Sequence, residues 1–189
     1  MWMRLSNWLY KLSTGWVTGS AVLVFILFSV LVLPGQSRSE DSSEEFGSPD
    51  LSMYYPAAEL YRMAEGYGEE GRAAYIQARF TFDLVWPLVY TFFLVVTLSW
   101  IYQKILLPGS SWRFVNLLPV WGMLADYLEN ISTSIVMWRF PQVTPVIDWM
   151  AGFITAAKWL LISASFLALI LGMVLLVWWF IRAGRVSED

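Results

Sequence analysis

A chain of 189 residues with 58% hydrophobic and only 14% charged residues is too apolar for an ordinary soluble domain, and its mean hydropathy of +0.55 points to a membrane protein. The net charge of −3, from 12 basic and 15 acidic residues without a dense Lys/Arg run, offers nucleic acid no electrostatic footprint. With neither Cys nor His, disulfides, thiolate nucleophiles, iron–sulfur clusters and Cys-based zinc sites are excluded and haem lacks its commonest ligand, so no cofactor is expected.

A helix needs about 20 mostly apolar residues to cross the hydrocarbon core. The first such stretch covers residues 16–33, preceded by Arg4 and Lys11 and stopped by Pro34-Gly35. A signal peptide shares the basic start, but the stretch is long and LVLPGQS lacks an A-x-A-like site, so an uncleaved anchor is expected. Residues 34–53 are rich in Ser, Glu and Pro and read as a flexible acidic linker. Residues 56–67 carry apolar positions at helical spacing and close on Gly66 and Gly68, which predicts a short amphipathic helix outside the membrane. Glu69 and Glu70 suit the start of the next helix, which is expected to run into the second span. That span is expected at 79–101 with a kink at Pro87, the third at 115–138, and the fourth at 158–181 with an outward extension at 146–157. The fold class is therefore an all-α integral membrane protein, a single membrane domain built as a four-helix bundle.

Orientation follows from Lys and Arg near the span ends. Arg4, Lys11, Lys104, Arg113, Arg182 and Arg185 share one side, the expected cytoplasmic side, which places both termini inside a multi-pass cell-membrane protein. The opposite side carries nine acids in the long first loop.

An ionisable group at the centre of a spanning helix costs about 2.5–3.5 kcal/mol on insertion scales, so each one needs a reason. Asp126, Glu129, Asn130 and Thr133 follow i, i+3, i+4, i+7 spacing and share one face of span three. Arg79, Asp83, Pro87 and Tyr90 form a comparable stripe on span two, and Lys158 lies at similar depth on span four. Together Arg79, Asp83, Tyr90, Asp126, Glu129, Asn130, Thr133 and Lys158 predict an outward-opening polar pocket roofed by the amphipathic helix. Plainer readings stand beside it. Arg79 and Asp83 also fit an intrahelical ion pair, and Lys158 fits a snorkelling lysine. The Gly15/Gly19 pair and the Ala164, Ala168, Gly172 ladder are read as internal packing ahead of homodimerisation.

Two functions are compatible with such a pocket. One is binding of a lipid, an apolar small molecule or a partner membrane protein. The other is a cofactor-free enzyme acting on a lipid-like substrate, with Asp126, Glu129 or Asp83 as general acid or base and Lys158 or Arg79 stabilising charge. Proton or ion transfer through the carboxylates is weaker, because the inner half offers few polar residues to complete a path. Magnesium or calcium on Asp83, Asp126 and Glu129 is a minor alternative to a metal-free site.

The stretches YRMAEGYGEEGRAAYIQARFTFDLVWPLVY (61–90) and LPVWGMLADYLEN (118–130) resemble the paired signatures of a group of small, uncharacterised bacterial four-span membrane proteins. The resemblance covers about the middle third of the chain and implies an inner-membrane location but no activity. Its signature positions are Tyr67, Gly68, Gly71, Arg72 and Tyr75 in the outer segment, followed by Asp83, Pro87, Tyr90, Asp126, Glu129 and Asn130.

Overall fold

The structure is a computed structural model and describes residues 1–37 and 46–186; Glu40, Asp41, Glu44 and Glu45 of the acidic linker lie outside the described residues. It is all-helical among the described residues. In chain order the elements are α1 (Trp2–Leu12), α2 (Gly15–Leu31), α3 (Leu33–Ser37), α4 (Ala57–Gly66), α5 (Gly68–Arg79), α6 (Phe82–Ile105), α7 (Leu118–Arg139) and α8 (Ile147–Val186), with 3-10 turns at Pro49–Leu51 and Ser111–Leu117.

Among the described residues three segments are long and apolar enough to cross a membrane, namely Gly15–Gly35, Gly68–Ile105 and Ile147–Arg182. The expected third span, α7, is not among them, because Asp126, Glu129, Asn130, Thr133 and Ser134 lower its hydropathy. All five of these side chains are buried, whereas Trp121, Leu124, Leu128, Ile131 and Trp138 of the same helix are exposed. The helix is thus apolar outside and polar inside, the reverse of a soluble amphipathic helix.

Helices α2, α6, α7 and α8 alternate in direction. Phe28 near the end of α2 stacks on Phe82 at the start of α6, and Gln103 near the end of α6 donates to the Ser13 carbonyl just ahead of α2. Gly122 early in α7 faces Ile162 of α8. Of these helices α6 is the central one, with Tyr90, Phe93, Leu94, Leu98, Ile101 and Tyr102 packed against Ala168 and Leu169 of α8. The small residues of α8 serve that packing: a Cβ on Gly172 would come within 2.9 Å of Tyr102. Of the Gly15/Gly19 pair, Gly15 faces Trp100 of α6, where a Cβ would lie at an ordinary 3.7 Å, and a Cβ on Gly19 would meet open space.

At one end of the bundle α1 lies against the Ser111–Leu117 turn. Its Ser6 hydroxyl donates to Asn116, whose amide donates to Ser99 of α6, and Tyr10 donates to the Arg113 carbonyl beneath the Arg113 guanidinium. At the other end a second apolar cluster joins Tyr55, Leu60, Met63, Ala64, Tyr67 and Tyr75 to Val136, Met137 and Ala151. The amphipathic helix expected at 56–67 therefore forms as α4 and packs on the end of α7 and the start of α8. The two apolar clusters are separated by a layer of charged side chains.

Two boundaries differ from expectation in ways that matter for that layer. The second span is not continuous from residue 79, because the helix breaks at Phe80 and Thr81, where the Thr81 hydroxyl bonds the Gln77 carbonyl at 2.8 Å. Arg79 therefore ends α5 while Asp83 opens α6, where a carboxylate suits a helix N-terminus. Residues 46–53 do not behave as a linker: Ser48 precedes Pro49 and Asp50 in an ordered turn, and Ser48 and Pro49 are buried.

Candidate functional site

Lys158 projects from α8 at about the height of Asp126 and Glu129 on α7. Its ammonium pairs with Glu129 and lies 3.9 Å from Asp126 and 3.5 Å from Asp50. Glu129 is fully buried, and its other oxygen accepts a 2.6 Å bond from Thr155, one helical turn before Lys158 on the same face of α8. Thr155 in turn sits 3.0 Å from the Tyr55 hydroxyl. Asp126 accepts a 2.9 Å bond from Tyr90 of α6. Each carboxylate is thus met by a hydroxyl as well as by the lysine, as buried charges require.

Arg79 forms the second centre. Its guanidinium pairs with Asp50, lies 2.7 Å from Asp83 across the helix break, and stacks 4.5 Å from the centre of the Tyr75 ring. Tyr75 donates onward to Thr133 at 3.1 Å. Asp50 joins the two centres, because one of its oxygens faces Arg79 and the other faces Lys158.

The expected pocket residues divide in three. Arg79, Asp83, Tyr90, Asp126 and Lys158 line one cavity of about 440 Å³. Glu129 and Thr133 are buried behind it. Asn130, although 3% exposed, does not line the cavity, and its amide has no hydrogen-bond partner among the described residues. The helical phase that joined it to Asp126 resolves burial but not which neighbour each residue meets. The expected roof is also different, for α4 does not line the cavity and the turn carrying Asp50 and Leu51 does.

Of the outer signature, only Tyr75 reaches the charged layer. Tyr67 donates to the Gly47 carbonyl at 2.6 Å and holds the Asp50 turn in place. Gly68 adopts φ 63°, which a residue with a Cβ rarely tolerates, and so makes the corner between α4 and α5. Arg72 donates to the Ala64 carbonyl at 2.9 Å across that corner and lies over Phe140, while Gly71 is half-buried in α5.

Sequence reasoning missed Asp50, Thr155 and Tyr55, together with the apolar wall of the cavity: Phe25, Phe82, Trp86, Trp159, Ile162 and Phe166. The Ser48-Pro49-Asp50 run was a usable signal, since Ser before Pro marks the start of an ordered turn. As to a metal, no three carboxylates converge on one point among the described residues, and the Lys158 ammonium stands between Asp50, Asp126 and Glu129.

The cavity lies in the crevice between α2 and α8, with α6 and α7 behind it and the Asp50 turn at one end. One end of its lining is charged and the remainder is aromatic and aliphatic. No known protein family, curated protein or solved structure matches the chain.

Proposed function

We propose that this is a four-span membrane protein whose cavity holds a single lipid-like amphiphile, polar end at the charged layer and hydrocarbon between α2 and α8. The observation that carries the reading is the composition of the 440 Å³ cavity, in which Phe25, Phe82, Trp86, Trp159, Ile162 and Phe166 face Asp50, Arg79, Asp83, Asp126 and Lys158. Ligand sites are characteristically apolar spaces of about 300–1,000 Å³ with a few fixed polar groups. An apolar solute alone would leave the charged end unused, and a fully polar one would strand the aromatic wall.

A fourth crossing is favoured by α7, whose outward residues are apolar and whose inward residues are polar. Lys104 and Arg113 then lie on the same side as Arg4, Lys11 and Arg182, which makes that side cytoplasmic and the Asp50 turn extracytoplasmic. The absence of native cysteine makes this directly measurable. In intact cells, Cys introduced for Gln142 should react with an impermeant maleimide and Cys introduced for Ser110 should not; equal labelling of both positions would refute the topology.

The binding test leaves every charge in place. Ile162→Trp fills the cavity with an indole. Native mass spectrometry of wild type extracted in neutral detergent should show one bound amphiphile per chain, and the Ile162→Trp variant should lose it while remaining folded. An unchanged adduct in that variant would refute the site. Conversion of the bound molecule with time would move the reading to an enzyme, with Asp126, which faces the cavity and bonds Tyr90, as the acid–base group.

A further inference from the structure

Resting on the proposed amphiphile site, the charge of the ligand can be read from the layer that would meet it. Among the described residues four carboxylates, Asp50, Asp83, Asp126 and Glu129, share the layer with two cations, Arg79 and Lys158. Each cation is already met by at least two carboxylates. Arg79 faces Asp50 and Asp83 beside the Tyr75 ring, and Lys158 faces Glu129, Asp50 and Asp126.

An anionic headgroup entering this space would have to displace the Asp50 carboxylate, which already sits between both cations and is held there by its own chain. Such a tethered competitor acts at a high effective concentration. A cationic headgroup displaces no carboxylate and, with the Lys158 ammonium already between Asp50, Asp126 and Glu129, approaches Asp126 from the cavity side. It meets Asp126, which borders the cavity, holds Lys158 only at 3.9 Å, and is otherwise bonded to a neutral phenol. Trp86 and Tyr90 border the same space, and Trp159 already carries the Lys158 ammonium 5.3 Å from its ring centre.

We propose that the cavity selects an amphiphile with a cationic, amine-type headgroup, seated on the cavity side of Asp126 with its chain along the aromatic wall. The rival way to neutralise the surplus carboxylates is to protonate them, in which case headgroup charge confers no advantage.

The test compares three probes with the same twelve-carbon chain, dodecyltrimethylammonium, dodecanol and dodecanoate, added at equal concentration to the full chain in neutral detergent. Native mass spectrometry reads the one-to-one adduct. The cation should be bound about tenfold more than either other probe, which is at the low end of what a contact with a charged partner contributes. Asp126→Asn should remove most of that preference. Asp50→Asn, a change in the turn outside the helices, should lower cation binding and raise dodecanoate binding by exposing Arg79 and Lys158. Equal binding of cation and alcohol overturns the inference in favour of protonated carboxylates and leaves the amphiphile site standing. Preference for dodecanoate in wild type also overturns it, and shows that Asp50 is displaced by anions. Failure of all three probes to bind overturns both readings. The wild-type comparison needs no variant, so a misfolded mutant cannot obscure the answer.

Discussion

Replacing Lys158 by Met tests whether the charged layer is held by mutual compensation. The side chain is 5% exposed, its ammonium lies within 4 Å of three carboxylates, and among the described residues the fully buried Glu129 keeps only Thr155 once the lysine is gone. Removing one partner of a buried pair costs about 3–5 kcal/mol, because the other charge is left uncompensated. A loss of about 2–4 °C per kcal/mol, as for domains of similar length, converts this into a fall of roughly 6–20 °C in Tm. The double variant Lys158→Met/Glu129→Gln removes both charges and leaves a neutral amide beside Thr155. Neutral replacement of a buried pair is often close to neutral in stability, so the double variant should recover the part of the loss that Glu129 carries, the remainder belonging to Asp126 and Asp50, which still lack the lysine. Thermal unfolding in one detergent at one protein concentration, with the two single variants completing the cycle, measures the coupling. A single Lys158→Met variant within about 1 kcal/mol of wild type would refute the reasoning. So would a double variant no more stable than Lys158→Met alone.

Three other substitutions probe the packing of the bundle. Gly152→Ala places a Cβ 1.9 Å from the Tyr55 carbonyl oxygen, so the loop carrying Tyr55 must move; a cost of about 1–3 kcal/mol in thermal unfolding is expected, and an unchanged Tm would contradict the packing. Asn116→Leu strands the hydroxyls of Ser6 and Ser99, both buried, and should cost about 1–3 kcal/mol while making α1 more susceptible to protease. Burial pushes the Tyr10 phenol up to about 12 against the opposing pull of Arg113. A folded value above the unfolded value of about 10 means this stabilisation is complete below pH 10 and lost as pH rises toward 12, on the order of 2 kcal/mol. The Tyr10→Phe variant should therefore show a shallower loss of stability over that alkaline range, and a pH dependence identical to wild type would refute the assignment.

Hydropathy and helical phase registered what is periodic. They locate the long apolar helices, the amphipathic α4, and the buried positions Asp126, Glu129, Thr133 and Lys158. They do not register a break made by two ordinary residues, and so the division at Phe80 and Thr81 was invisible, whereas the i,i+4 spacing of Arg79 and Asp83 did indicate the ion pair they make across it. Nor do they say which of four buried residues on one face meets a neighbour, as Asn130 shows.

The loop residue Asp50 has the largest consequence. It lies 29 residues from Arg79 and 108 from Lys158 in sequence, and no periodicity connects them. Without it the described residues of the layer comprise three carboxylates and two cations, a near balance in which Arg79 and Lys158 could receive an anionic headgroup. With it the carboxylates outnumber the cations by two to one, and the space between Arg79 and Lys158 is already filled by an anion from the chain itself. One aspartate supplied by an ordered turn thus reverses the sign of the ligand that the cavity favours, which is why substitution at Asp50 is the most informative single change outside the helices.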